Sequence, residues 1–61
     1  MTHYDIWVDD KYVSTDDGDP ESVLVFFKES DISLPFRDSG KTVKICKAGD
    51  NPLRVLAEDV L

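Results

Sequence analysis

One cysteine in 61 residues is the feature that most limits this chain. A domain of that length buries only about 60% of the surface its unfolded form exposes, and small folds commonly offset the shortfall with disulfides or a metal. Cys46 has no second cysteine to pair with. With His3 as the only histidine, a zinc site of the usual His and Cys type and a Cys-His nucleophilic pair both lack parts beyond one copy of each. Stability must therefore come from patterned apolar residues, and self-association that hides more apolar surface would help. One domain over residues 1–61 is the expected organisation. A lone cysteine suits a reducing compartment. No apolar run is long enough to span a membrane, and the start Met1-Thr2-His3-Tyr4-Asp5 lacks the basic region and apolar core of a signal peptide, so the cytoplasm is the expected location.

The apolar pattern predicts a small α+β fold. Tyr4-Asp5-Ile6-Trp7-Val8 and Lys11-Tyr12-Val13-Ser14-Thr15 are rich in aromatic and β-branched residues and read as a β-hairpin about Asp9-Asp10. Asp-Asp is a weak turn pair, because both central residues of a type I′ turn need positive φ, so a three-residue turn that includes Lys11 competes. With the two-residue turn, Ile6 faces Val13 and Tyr4 faces Thr15 on one side, and Trp7 faces Tyr12 and Asp5 faces Ser14 on the other. Asp19 then serves as a helix cap, Pro20 suits the first helical position, and Glu21 favours the positive end of the dipole. The expected helix runs from 21 to 29 and buries Val23, Phe26 and Phe27, with Leu24 at its border. Val23-Leu24-Val25-Phe26-Phe27 also fits a buried strand by periodicity, and the start signals decide for the helix.

Beyond the helix, Ile32-Ser33-Leu34-Pro35-Phe36 alternates like an extended connector or edge strand. Lys41 to Lys47 reads as a later strand with Val43 and Ile45 on one face. The last segment has two readings. As a helix capped by Asn51 it places Leu53, Leu56, Ala57, Val60 and Leu61 at helical spacing. As a strand it pairs with 41 to 47 and turns Leu53, Val55 and Ala57 inward. The spacing favours the helix, whereas Glu58 and Asp59 near its negative end disfavour it. The fold class is thus a small antiparallel sheet, a hairpin plus one or two later strands, packed on one short helix, with a second helix at the C-terminus as an option.

The net charge of −6 lies in one half of the chain. Residues 1–29 carry eight acids against Lys11 and Lys28, whereas residues 30–61 carry five acids and five bases. Such a field repels nucleic acid and membrane surfaces and favours a basic protein partner, although acids also simply keep a small domain soluble. Lys41, Lys44 and Lys47 alternate faces along one strand, so they make no basic stripe for nucleic acid.

Motifs for chemistry are sparse. Asp38-Ser39-Gly40-Lys41-Thr42 matches the end of a phosphate-binding loop, but Pro35 stands where its first glycine belongs and a strand follows where a helix should. Asp17, Asp19 and Glu21 stand two apart in a glycine-containing loop, yet without the order of an EF-hand; a solvated loop with a cap accounts for them. The carboxylates lie in polar loops, not in the apolar pockets that make general acids. No cofactor, no metal site and no catalytic set are expected.

The most suggestive element is the hairpin. Trp7 and Tyr12 are residue types enriched in binding hot spots, and acids ring them. The expected partner-binding residues are Asp5, Trp7, Asp9, Asp10, Tyr12, Asp16, Asp17 and Asp19. The competing expectation is that the C-terminal segment covers the aromatic pair. The functional expectation is a non-catalytic protein-binding module, an inhibitor or adaptor of the kind common among small acidic proteins of bacteriophages and mobile elements, an analogy of composition alone. A nucleic-acid mimic that inhibits a DNA-binding protein, and a homo-oligomeric assembly component such as a homodimer, are the alternatives.

Overall fold

A computed structural model describes residues 2–61; whatever the leader reading draws from Met1 lies outside them. Four strands and one α-helix follow in the order β1 (His3–Val8), β2 (Lys11–Asp17), α1 (Pro20–Glu29), β3 (Thr42–Lys47) and β4 (Ala57–Val60), with a 3₁₀ helix at Asp31–Phe36. The strands form one antiparallel sheet in the order β2-β1-β3-β4. The α+β architecture expected from the apolar pattern is the one observed.

The hairpin turns on two residues, with Val8 paired to Lys11 and Trp7 to Tyr12. Of the turn pair only Asp9 has positive φ (53°), so a type I′ turn is not formed. Asp9 offsets that strain with its neighbours: its amide donates to the Thr42 carbonyl at 2.8 Å, and its Oδ1 accepts from the Thr42 amide at 3.1 Å. The register beyond the turn differs from the sequence expectation. A bulge at Val13 inserts an extra residue, so Ile6 pairs with Ser14, Asp5 with Thr15 and Tyr4 with Asp16.

The helix starts as its signals say. Asp19 accepts from the Ser22 amide at 3.0 Å and from the Ser22 hydroxyl at 2.9 Å, and Pro20 opens the first turn. Val23, Leu24 and Phe27 are buried against the sheet. Phe26 is not: it is 69% exposed, a correction to the expected core. At about 100° per residue it lies roughly 100° from the centre of the stripe that the other three define.

The segment expected to be extended is instead the 3₁₀ helix. The carbonyls at the end of α1 need donors, and this turn supplies them. The Ser33 hydroxyl, fully buried, lies 3.1 Å from the Lys28 carbonyl and 2.8 Å from that of Ser30. Arg37 donates through Nη2 to the same two carbonyls, where its charge also suits the negative end of the helix dipole.

The C-terminal segment is a strand, not a helix. Ala57 pairs with Ile45 and Val60 with Thr42, and further main-chain bonds flank the strand: the Leu56 amide to the Ile45 carbonyl and the Leu61 amide to that of Lys41, each 2.8 Å. Without it β3, whose Val43 and Ile45 are wholly buried, would carry an unpaired edge. Ala57 points inward as the strand reading requires, while Leu53 is 84% exposed and Val55 half-buried. Ile6, Val8, Val43, Ile45 and Ala57 of the sheet meet Val23, Leu24 and Phe27 of α1 in one core. Each of these buried side chains larger than Ala57 contributes about 1.5–3 kcal/mol.

Candidate functional site: the open face of the sheet

Only one face of the sheet is covered by α1, and the alternation of side chains decides what the other presents. Ile6, Val8, Val43 and Ile45 point to the helix, so Asp5, Trp7, Lys44 and Cys46 lie on the opposite face. The bulge adds Thr15 to that face beside Asp5, while Val13 packs against the core. Trp7 and Tyr12 meet edge to face, with ring centroids 5.8 Å apart and planes at 72°.

Trp7, but not Tyr12, lines a cleft of about 150 Å³, completed by Asp9, Asp10, Lys44, Pro52 and Leu53. The segment before β4 therefore flanks Trp7 without sealing the aromatic pair. Trp7 is half-buried, and Tyr12 remains 49% exposed. Lys44, Pro52 and Leu53 were absent from the sequence-derived site. The signal for Lys44 was present, since it stands one residue from Ile45 on the opposite face of the same strand. Leu53 could not be found that way, because both readings of its segment turned it inward.

Under the tryptophan lies the thiol of Cys46, 1% exposed. Burial pushes its pKa up, and the Asp5 and Asp50 charges push the same way. The Trp7 indole N–H is itself buried with no hydrogen-bond partner among the described residues. The shift arises from desolvation and keeps the thiol in its neutral, unreactive form.

The expected site residues fall into two groups. Asp5, Trp7, Asp9, Asp10 and Tyr12 come together at the face and its turn. Asp16, Asp17 and Asp19 stand at the other end of the hairpin, roughly 20 Å from the turn along a six-residue strand, with Asp5, paired to Thr15, nearest to them. Several of the acids have structural partners. Asp5 accepts from the Thr15 hydroxyl at 2.8 Å, Asp9 binds Thr42 and lies 3.6 Å from Lys41, and Asp16 accepts from the Asp17 amide. The two Ser22 bonds, amide first, hold the Asp19 carboxyl below the usual carboxylate range. Asp10 and Asp17 make no side-chain hydrogen bond or ion pair among the described residues. No group of three or more His, Cys, Asp or Glu side chains converges as a metal site among them either. The loop that resembles the end of a phosphate-binding motif spends Lys41 on Asp9 and Thr42 on the sheet.

No family model, curated protein or solved structure matches this chain. The functional reading therefore rests on the geometry of the face itself. No helix of the described residues is long and apolar enough to cross a membrane.

Proposed function

We propose that this protein is a non-catalytic binding module, an inhibitor or adaptor of the cytoplasm, that docks on a larger protein through the Trp7–Tyr12 face and the cleft that Trp7 lines beside it. The observation that carries the reading is the edge-to-face aromatic pair beside an 84% exposed Leu53. A half-exposed aromatic next to an exposed aliphatic, with charges at the rim, is the make-up of an interface hot spot. Asp10 at that rim, without an internal partner, suits a basic group on the docking protein.

The phosphate-mimic reading has weaker support. Of the acids it needs, Asp9 and Asp19 are committed to Thr42, Lys41 and Ser22.

The test is affinity capture from lysate of the source cell or its host, with the wild type, Tyr12→Ala and Leu53→Asp as baits. Leu53 is 84% exposed and Tyr12 half exposed, and a far-ultraviolet spectrum matching the wild type checks that each variant is folded. Proteins retained by the wild type are expected to be lost with either variant. Equal recovery with all three baits shows the cleft is not the docking site, and recovery that is abolished by about 1 M salt but indifferent to Leu53→Asp favours the phosphate mimic.

A further inference from the structure

The exposed large apolar residues divide between the two sides of the molecule. Tyr12, Leu53, Leu56 and Val60 belong to the sheet side, whereas Val25, Phe26, Ile32 and Leu34 fall within ten residues on α1 and the 3₁₀ turn. On α1, Val25 and Phe26 lie side by side on the solvent face and form a shallow depression with Glu21 and Ser22. Four such residues in so short a stretch, each half exposed or more, are unusual for a domain whose core is already filled from the opposite side of the same helix.

The charges around this patch are unbalanced in a specific way. Both basic residues of the layer are used internally: Lys28 bridges to Asp59 on β4, and Arg37 is bound to the carbonyls of Lys28 and Ser30. Glu21, Glu29 and Asp31 have no hydrogen-bonded or ion-paired side-chain partner among the described residues. An apolar strip bordered by three uncompensated carboxylates is complementary to an apolar strip bordered by lysine or arginine.

A second copy of the chain does not meet that requirement. Antiparallel packing of two α1 helices would set Glu21 of one near Glu29 of the other, within a pair carrying −6 each. A stable dimer also needs about 800 Å² from each subunit, a fifth of the 3983 Å² surface. Four partly exposed side chains fall short of it.

We propose that the outer face of α1, centred on Phe26, is a second docking surface that receives a basic amphipathic segment of a protein partner, independently of the cleft on the sheet. The test uses ¹⁵N-labelled protein and two synthetic helical peptides, one of leucine and lysine and one of leucine and glutamate. The lysine peptide is expected to bind, with amide shifts concentrated between Glu21 and Leu34. Phe26→Ser is expected to weaken binding about tenfold or more, while Leu53→Asp leaves it unchanged and the glutamate peptide does not bind. Phe26 is 69% exposed, so Phe26→Ser is expected to keep its far-ultraviolet spectrum, which is measured beside binding. Shifts that map to the sheet face, binding indifferent to Phe26→Ser, or a free protein that sediments as a Phe26-dependent dimer would each overturn the proposal. Loss of binding in Leu53→Asp alone places the peptide on the sheet cleft instead.

Discussion

The Thr15 hydroxyl donates to Asp5 Oδ1 at 2.8 Å across the first two strands. The Val13 bulge is what permits it, because an unbroken register would set Ser14 opposite Asp5. Thr15 has one hydroxyl proton and spends it on Asp5, so the 2.6 Å contact with Tyr12 has the phenol as donor. A chain of three side chains thus anchors the exposed aromatic ring that packs on Trp7.

That chain predicts non-additive energetics. Thr15→Val and Tyr12→Phe are each expected to cost about 0.5–1 kcal/mol in urea unfolding. The double variant should cost less than the sum, since Thr15→Val already strands the phenol. Strict additivity would mean that Tyr12 is not held by Thr15 in solution.

Cys46 should be silent toward thiol reagents in the native state and react at a rate set by opening of the fold, which a DTNB time course with and without urea measures. Its raised pKa also has a sign. The unfolded chain ionises first as pH rises past about 8.5, so stability is full below that value and declines as pH climbs toward the folded one. Cys46→Ala is expected to be less stable overall by about 1 kcal/mol, but to lose the downward slope above about pH 8.5 that this thiol causes. An unchanged slope would assign it to other groups.

On the acid side the sign reverses. Hydrogen bonding to Lys28, then the Val60 amide and the Lys28 charge, hold the Asp59 carboxyl below the usual range, as Ser22 does for Asp19. Their contributions are present above the ordinary aspartate value of about 3.9 and vanish as pH falls through the folded values. Melting curves from about pH 6 to pH 2 should therefore drop less steeply in Asp59→Asn. Asp19→Asn keeps a capping oxygen and should melt near the wild type at neutral pH, whereas Asp19→Ala should lower Tm by about 5 °C. Added salt should shrink the Asp59 effect more than that of Asp19, because an exposed ion pair is screened and a cap bond is not.

What was legible came from signals carried by a few adjacent residues. Asp19-Pro20-Glu21 marked the start of α1, Asp9-Asp10 marked the hairpin, and Trp7 faced Tyr12 because that pair lies within three residues of the turn. Phe26 was misplaced because Val23 to Phe27 is apolar all round, so the sequence did not say which side of the helix would meet the sheet. For the candidate site, Asp5, Trp7, Asp9, Asp10 and Tyr12 were brought to one region, while Lys44 and Leu53 joined it only through pairing between distant strands.

The sequence by itself determined the class of fold, the first hairpin, the capped helix and the strand at 42–47, since each depends on backbone preferences and side-chain periods that act within one element. Tertiary structure alone decided the bulge at Val13, the 3₁₀ turn and the fate of the C-terminus. Residues 53–61 have helical spacing, but the open edge of β3 requires a row of donors and acceptors that only another strand supplies, and the α1 carbonyls require Ser33 and Arg37. Those demands arise between segments far apart in the chain, where local preference does not reach.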